Sequence, residues 1–183
     1  MKTQIWAHRG ASAYAPENTL EAFRLAAEMG ADGVELDVQL SRDGELVVAH
    51  DETIDRVSNG TGYIKDYTLA QLKELSFNRL FPAFKDARIP TLLEVYELLK
   101  PAGLTVNVEL KTGIILYPEI EEKVLALTAS MGMEDRVIYS SFCHPSLVRL
   151  KELDSGLKTG LLYSDGWIDA AAYGRHTVGV DAL

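Results

Sequence analysis

The amino-acid sequence predicts an α/β fold in which a largely parallel sheet is built from repeated strand–helix units. Short segments of alternating apolar residues take turns with helical patterns along the whole length, which is typical of such units. The 183 residues are 47% hydrophobic and 25% charged, the composition of an ordinary globular domain. This length favours one domain with a sizeable core.

Seven segments have the length and apolar alternation of β-strands. They are residues 4–8, 33–40, 46–50, 104–111, 136–142, 158–163 and 177–182. Because segment 46–50 follows 33–40 so closely, we count the two as one strand unit. The sequence therefore predicts six strand–helix units.

Helix start signals stand between these segments. Asn18, Thr68 and Thr91 each open a motif that resembles a capping box, in which a polar cap is followed by an acidic or amide side chain. Pro118 and Pro145 stand where proline is favoured, at the first helical positions. We therefore predict five helices, of which the first begins with Asn18 as its N-cap.

Residues 51–103 interrupt this rhythm, because they contain only short helix signals and turn residues. A connection within a strand–helix unit usually takes about 2–6 residues. We therefore expect this stretch to contain a small insertion subdomain that folds over one end of the sheet.

Charge and cysteine content exclude several partners. The chain has 18 Lys and Arg against 27 Asp and Glu, a formal charge of −9, which argues against nucleic acid and anionic membrane surfaces. Cys143 has no second cysteine to pair with. No apolar run approaches the roughly 18 residues that span a bilayer, and the charged pair His8-Arg9 precedes any possible signal-peptide core. We expect a soluble, cytoplasmic protein.

Polar side chains alternate with apolar ones along two predicted strands. Glu35 and Asp37 share one face of segment 33–40, and Glu109 and Lys111 share one face of segment 104–111. Carboxylates this close together repel unless a cation lies between them, and three carboxylates suit Mg²⁺ or Ca²⁺. The alternative is a buried salt-bridge network in which Lys111 neutralises the acidic groups.

Two histidines end two different early strands. His8-Arg9-Gly10 follows the first strand, and His50 follows segment 46–50. Imidazole can accept and donate a proton near neutral pH, and the guanidinium of Arg9 suits a phosphate group. A metal, two imidazoles, an Arg and a Lys favour phosphoryl chemistry over carbonyl chemistry.

Seven stretches in this order make the sequence resemble the glycerophosphodiester phosphodiesterase family, of the bacterial cytoplasmic type. They are residues 8–10, 16–19, 33–38, 43–51, 59–62, 88–92 and 106–111. The resemblance implies a TIM (β/α)8 barrel with a small insertion after the second strand. It also implies hydrolysis of glycerophosphodiesters to sn-glycerol 3-phosphate and an alcohol.

The resemblance also implies the role of each site residue. Glu35, Asp37 and Glu109 would hold one divalent cation, and His8 and His50 would be the general acid–base pair. Arg9 and Lys111 would contact the substrate. The implied partner is a small-molecule glycerophosphodiester, and the sequence leaves the oligomeric state open.

A closed barrel of this type has eight strand–helix units, so six units predict an incomplete barrel over residues 1–183. An unclosed sheet leaves strand edges unpaired, and we expect the isolated chain to aggregate and to have little activity. Two other functions stay open. One is an inactive fragment that binds a phosphodiester, and the other is a phospholipase D-like enzyme that acts on intact lipids.

Overall fold

The computed structural model describes residues 3–183 and shows one six-stranded sheet with helices on its outer face. The strands are β1 (Trp6–His8), β2 (Gly33–Leu40), β3 (Leu46–Val48), β4 (Thr105–Leu110), β5 (Val137–Ser141) and β6 (Thr159–Leu161). The order is β1-β2-β4-β5-β6 with parallel pairing throughout, and β3 pairs antiparallel with β2. The α/β fold class is thus confirmed, and within the described residues the barrel-like sheet stays open.

Six α-helices accompany the strands among residues 3–183. They are α1 (Leu20–Glu28), α2 (Leu69–Glu74), α3 (Leu92–Ala102), α4 (Ile120–Ser130), α5 (His144–Leu153) and α6 (Ala170–Tyr173). Full capping boxes open α2 at Thr68 and α3 at Thr91, as the sequence predicts. The predicted cap of α1 was wrong: Thr19 is the N-cap, and its hydroxyl accepts from the amide of Ala22.

Two faces of the sheet have opposite chemistry. The apolar residues of β2 and β4 face the helices and are buried among the side chains of α1 and α3, in a core that includes Phe23, Val34, Leu36, Val38, Val95, Tyr96, Val106 and Val108. Burying a side chain of this size stabilises the fold by roughly 1.5–3 kcal/mol. This outer packing holds β2 and β4 side by side, so their polar residues share the inner face.

The strand register arranges the inner polar residues in two rows. His8, Glu35 and Asn107 are in register across β1, β2 and β4. One step further along the strands, Asp37, Glu109 and Ser140 are in register across β2, β4 and β5. The carboxylates of the two rows therefore meet at the carboxyl ends of the strands.

Residues 49–91, here called the inserted segment, lie between β3 and α3 and pack around a second hydrophobic cluster. This cluster contains Val47, Ala49, Ile54, Ile64, Leu72, Phe77 and Ile89. The Gln39 side chain at the end of β2 donates to the carbonyls of Ala49 and Asp51, and it accepts from Tyr117. These hydrogen bonds attach the start of the inserted segment to the sheet.

The predicted strand at residues 177–182 was wrong. Residues 174–178 form a π-helical turn that continues α6, and Gly179 ends it in the left-handed conformation with φ of +80°. Only Ala182 forms a bridge to Gly160 of β6. Apolar alternation was present in this segment, but the preceding helix extends through it.

None of the helices among residues 3–183 is long and apolar enough to cross a membrane. The expectation of aggregation concerns behaviour in solution and stays a prediction.

Gly10 and Gly30 offer a matched test of how tightly α1 packs on the turn after β1. Both have φ near +80°, but a Cβ at Gly10 would lie 2.7 Å from the backbone carbon of Ala22, whereas a Cβ at Gly30 would meet nothing within 4 Å. Gly30→Ala should lower the free energy of unfolding by roughly 1–2 kcal/mol through backbone strain alone. Gly10→Ala should cost roughly 1–3 kcal/mol more, because α1 must move. Urea denaturation measures both, and equal losses would contradict the close packing.

Candidate active site

The three carboxylates that the sequence placed on the inner face converge at the carboxyl ends of β2 and β4. One carboxylate oxygen each from Glu35, Asp37 and Glu109 lies within 4.8 Å of the other two. Asp37 is fully buried and Glu109 is 7% exposed. Glu35 Oε1 and Asp37 Oδ1 are buried without a hydrogen-bond partner.

Burial and mutual repulsion perturb this acidic cluster. Burial, followed by the charge of Asp37, raises the pKa of Glu35 to about 8. The same two causes raise the pKa of Glu109, against the opposing charge and hydrogen bond of Lys111. Both shifts disfavour ionisation of these acids, and a cation bound among the three carboxylates would oppose both.

Lys111 neutralises only part of the cluster. Its Nζ donates to Glu109 Oε1 at 2.9 Å and lies 3.8 Å from Asp37 Oδ1. The salt-bridge alternative is therefore present in part, because Lys111 pairs with two of the three carboxylates. It leaves the buried Glu35 Oε1 unsatisfied.

The end of β1 and the turn after it bring His8 and the amide of Arg9 close to Glu35. The amide of Arg9 donates to both the carbonyl and the side-chain Oε2 of Glu35, at 3.0 Å each. His8 Nε2 lies 3.8 Å from the same Oε2. Burial and the adjacent Arg9 lower the pKa of His8, which favours a neutral imidazole. Arg9 takes a positive φ of 57°, followed by Gly10 at +78°, and this tight turn brings the Arg9 amide against Glu35.

His50 stands at the start of the inserted segment, held by Asp51 and Arg56. Asp51 Oδ1 lies 2.6 Å from His50 Nδ1, and Arg56 Nε donates to Asp51 Oδ2 at 2.7 Å. Burial would raise the pKa of Asp51, but the hydrogen bonds from Arg56 and His50 outweigh it and lower that pKa to about 2.

Asn18 and Arg56 join the site although the sequence did not assign them to it. Asn18 has φ of +56° and donates from Nδ2 to Asp37 Oδ2 at 2.8 Å. The preceding residue, Glu17, accepts hydrogen bonds from Arg9 and Arg56. The Pro16–Thr19 motif is a sequence signal that could have pointed to Asn18. Arg56 lies in the irregular inserted segment, where no local sequence pattern indicates a functional residue.

An open β/α sheet with an acidic cluster at the carboxyl ends of its strands places the chain in the α/β-barrel class. Residues 8–181 match the Glycerophosphoryl diester phosphodiesterase family. The chain is 52% identical to a glycerophosphodiester phosphodiesterase of Caldanaerobacter subterraneus subsp. tengcongensis, over 92% of this chain and 70% of that protein. The chain thus belongs to the glycerophosphoryl diester phosphodiesterase family, whose members are phosphodiesterase enzymes.

Solved structures agree with this assignment. A glycerophosphodiester phosphodiesterase from Agrobacterium tumefaciens superposes with a TM-score of 0.80 and 38% identity, covering 87% of this chain and 66% of that one. A phosphodiesterase from Oleispira antarctica, in complex with the product sn-glycerol 3-phosphate, superposes with a TM-score of 0.84 and 32% identity, covering 97% of this chain and 72% of that one. The chain thus spans about two thirds to three quarters of each of these relatives.

The depressed pKa of Asp51 predicts a loss of stability in acid. A carboxylate with a folded-state pKa near 2 and an ordinary value of 3.8 stabilises the fold above pH 3.8, and this contribution disappears as pH falls through about 2. Urea unfolding at about pH 6 and about pH 3 should therefore show a smaller acid-induced loss for Asp51→Asn than for the wild type.

Asp86→Asn is the control for removing one exposed carboxylate, and it should lose as much stability in acid as the wild type. An unchanged acid-induced loss in Asp51→Asn would show that the Arg56–Asp51–His50 contacts do not stabilise the fold.

Proposed function

We propose that the chain hydrolyses glycerophosphodiesters to sn-glycerol 3-phosphate and an alcohol, with a divalent cation and with His8 and His50 as the acid–base pair. The convergence of Glu35, Asp37 and Glu109, with the His8 imidazole 3.8 Å from Glu35, is the observation that carries this proposal. The name of the Caldanaerobacter relative and the product bound to the Oleispira neighbour support the substrate class.

The residues present fit a hard divalent cation. The cluster offers only oxygen donors, and two of these oxygens are buried without a partner. Glu35, Asp37 and Glu109 would hold Mg²⁺ or Ca²⁺, which when bound would draw charge from a phosphate oxygen as a Lewis acid.

The chain's own residues would move the protons. One imidazole accepts the proton of the nucleophile, either water or the glycerol 2-hydroxyl, as its oxygen bonds to phosphorus, and the other donates a proton to the oxygen of the leaving alcohol as its bond to phosphorus breaks. Attack by the 2-hydroxyl gives a cyclic phosphate, which water then opens to sn-glycerol 3-phosphate. His8 and His50 follow different strands, so they can stand on opposite sides of one phosphate. His8, with its lowered pKa, is neutral and able to accept a proton at neutral pH.

Two cationic side chains are available for the phosphate. Arg9 is 18% exposed and uses one terminal nitrogen on Glu17, which leaves its other terminal nitrogen for a phosphate oxygen. The ammonium group of Lys111 lies beside the acidic cluster and 6.0 Å from the ring centre of Phe142. We assign both residues to substrate binding, with Phe142 beside Lys111 as an apolar contact.

The two other functions are not favoured. The relatives are named for glycerophosphodiester hydrolysis, and neither a binding-only role nor lipid phosphodiester hydrolysis has a comparable observation in its support. A cytoplasmic location stays a prediction from the sequence.

Removing the metal or any of its proposed ligands should abolish hydrolysis. EDTA should abolish the activity of the wild type, and added Mg²⁺ or Ca²⁺ should restore it. Glu35→Ala, Asp37→Ala and Glu109→Ala should each be inactive even with the cation present. They should also remove the rise in melting temperature that the cation gives to the metal-free protein. Glu97→Ala, an exposed acidic residue of α3, is the control and should behave as wild type. Activity that survives chelation and all three substitutions would favour the salt-bridge network instead.

Replacing either histidine should slow catalysis with little effect on cation binding. His8→Ala and His50→Ala should each lower kcat by roughly 10²–10⁴. A p-nitrophenyl phosphodiester needs no protonation on departure, so it should restore the variant that lost the general acid and leave the other slow. His176→Ala, an exposed histidine, is the control. Equal losses on both substrates for both variants would mean that the histidines are structural.

A further inference from the structure

A chain of alternating charges runs from Arg9, which lies beside Asp37 of the acidic cluster, to His50. Arg9 Nη1 donates to Glu17 Oε1 at 3.0 Å, and the two terminal nitrogens of Arg56 donate to the two Glu17 oxygens at 2.7 Å each. Arg56 Nε donates to Asp51 Oδ2 at 2.7 Å, and Asp51 Oδ1 lies 2.6 Å from His50 Nδ1. Every link lies within hydrogen-bond distance.

We propose that Arg56, Asp51 and Glu17 are positioning residues of the site. Arg56 holds Asp51 against His50 Nδ1, so that the imidazole presents Nε2 to the substrate, and it holds Glu17 against Arg9, so that the guanidinium faces the phosphate. The kinetic part of this inference rests on the proposed function, whereas the part that concerns the His50 tautomer does not.

Arg56 is suited to this task because its guanidinium is a planar fork. It uses three nitrogens at once, two on Glu17 and one on Asp51. A lysine ammonium is a single point of charge and cannot reproduce this geometry. Arg56 belongs to the inserted segment, so this segment supplies part of the support for the site.

Asp51 sets which nitrogen of His50 carries the proton. An ionised carboxylate has only acceptors, so the short contact to Asp51 requires a proton on Nδ1. In the neutral imidazole Nε2 then carries a lone pair and faces away from Asp51. This is the orientation that lets a histidine accept a proton from, or return it to, a substrate.

Glu17 acts on the other side of the chain. It is shared by two guanidinium groups, and its contact with Arg9 fixes the plane of a side chain that is 18% exposed. Loss of Glu17 leaves Arg9 charged and close to Asp37, whose Oδ2 lies 3.7 Å from Arg9 Nε, but without the hydrogen bond from Nη1. We therefore expect weaker substrate binding rather than slower chemistry.

Asp51→Asn should reverse the tautomer of His50. Arg56 has only donors, so the side-chain oxygen of an asparagine at position 51 must face Arg56 and its NH₂ group must face His50 Nδ1. That NH₂ group donates to Nδ1, which moves the imidazole proton to Nε2. The ¹⁵N chemical shifts of the His50 ring should report Nδ1–H in the wild type and Nε2–H in Asp51→Asn, at a pH where the ring is neutral.

An Nε2–H tautomer in the wild type, or an unchanged tautomer in a folded Asp51→Asn, would overturn the proposal. This measurement uses no substrate, so it stands even if the chain does not hydrolyse glycerophosphodiesters.

The kinetic parameters should separate the two arms of the network. Asp51→Asn should lower kcat by roughly 10²-fold or more with little change in KM, as when a catalytic histidine holds the wrong tautomer. Glu17→Gln should raise KM with a smaller change in kcat. Arg56→Ala should change both, by roughly 10–100-fold in kcat/KM, and Arg56→Lys should restore only part of the loss.

Lys73→Gln is the matched control, because Lys73 of α2 forms an ion pair with Glu94 that also ties the inserted segment to a helix of the barrel. It should lower stability without changing kcat or KM. Circular dichroism confirms that each variant is folded. If Lys73→Gln slows catalysis as much as Arg56→Ala, or if folded Arg56→Ala keeps wild-type kcat and KM, the network is only a structural tie and the proposal fails.

Discussion

The repulsion among Glu35, Asp37 and Glu109 is the constraint around which the rest of this site is arranged. Outer-face packing of β2 and β4 forces the three side chains together, since their neighbours in sequence are buried against α1 and α3. Burial first, and then the charge of Asp37, raises the pKa values of Glu35 and Glu109. The packing of the core therefore holds together carboxylates that repel one another.

Three polar groups around the cluster each donate a hydrogen bond to one of its carboxylates. The backbone amide of Arg9 and the side chains of Asn18 and Lys111 each satisfy one carboxylate. Together they leave buried oxygens on Glu35 and Asp37 without a partner, so the compensation is incomplete. A site that is partly neutralised by fixed groups can keep its shape without a ligand and still attract a cation.

The inner-face carboxylates could be read from the sequence because strand periodicity is local. Strict alternation in residues 33–40 and 104–111 places Glu35, Asp37 and Glu109 on one face whatever the tertiary details. Residues 177–182 alternate in the same way, but there the helix that begins at Ala170 continues through Val178. Alternation over a few residues does not decide between strand and helix when the preceding helix can extend.

The parts of the site that depend on irregular backbone could not be predicted. Asn18 resembles a helix cap, and only the positive φ that turns its amide toward Asp37 reveals its place in the site. Arg56 reaches Glu17 across 39 positions of the chain from a segment without regular periodicity. Such contacts are decided by long-range packing, which a single sequence does not encode in any local pattern.

The inserted segment has its own hydrophobic cluster, separate from the core beneath the sheet. Segments with their own small core can open as cooperative units while the remainder of a protein stays folded. Opening of this unit would withdraw Arg56 from Asp51 and Glu17, while Gln39 keeps the backbone of Asp51 attached to the sheet and the three carboxylates stay in place. Warming would then reduce activity at temperatures where the sheet is still folded. Cooling would restore that activity without refolding of the barrel strands.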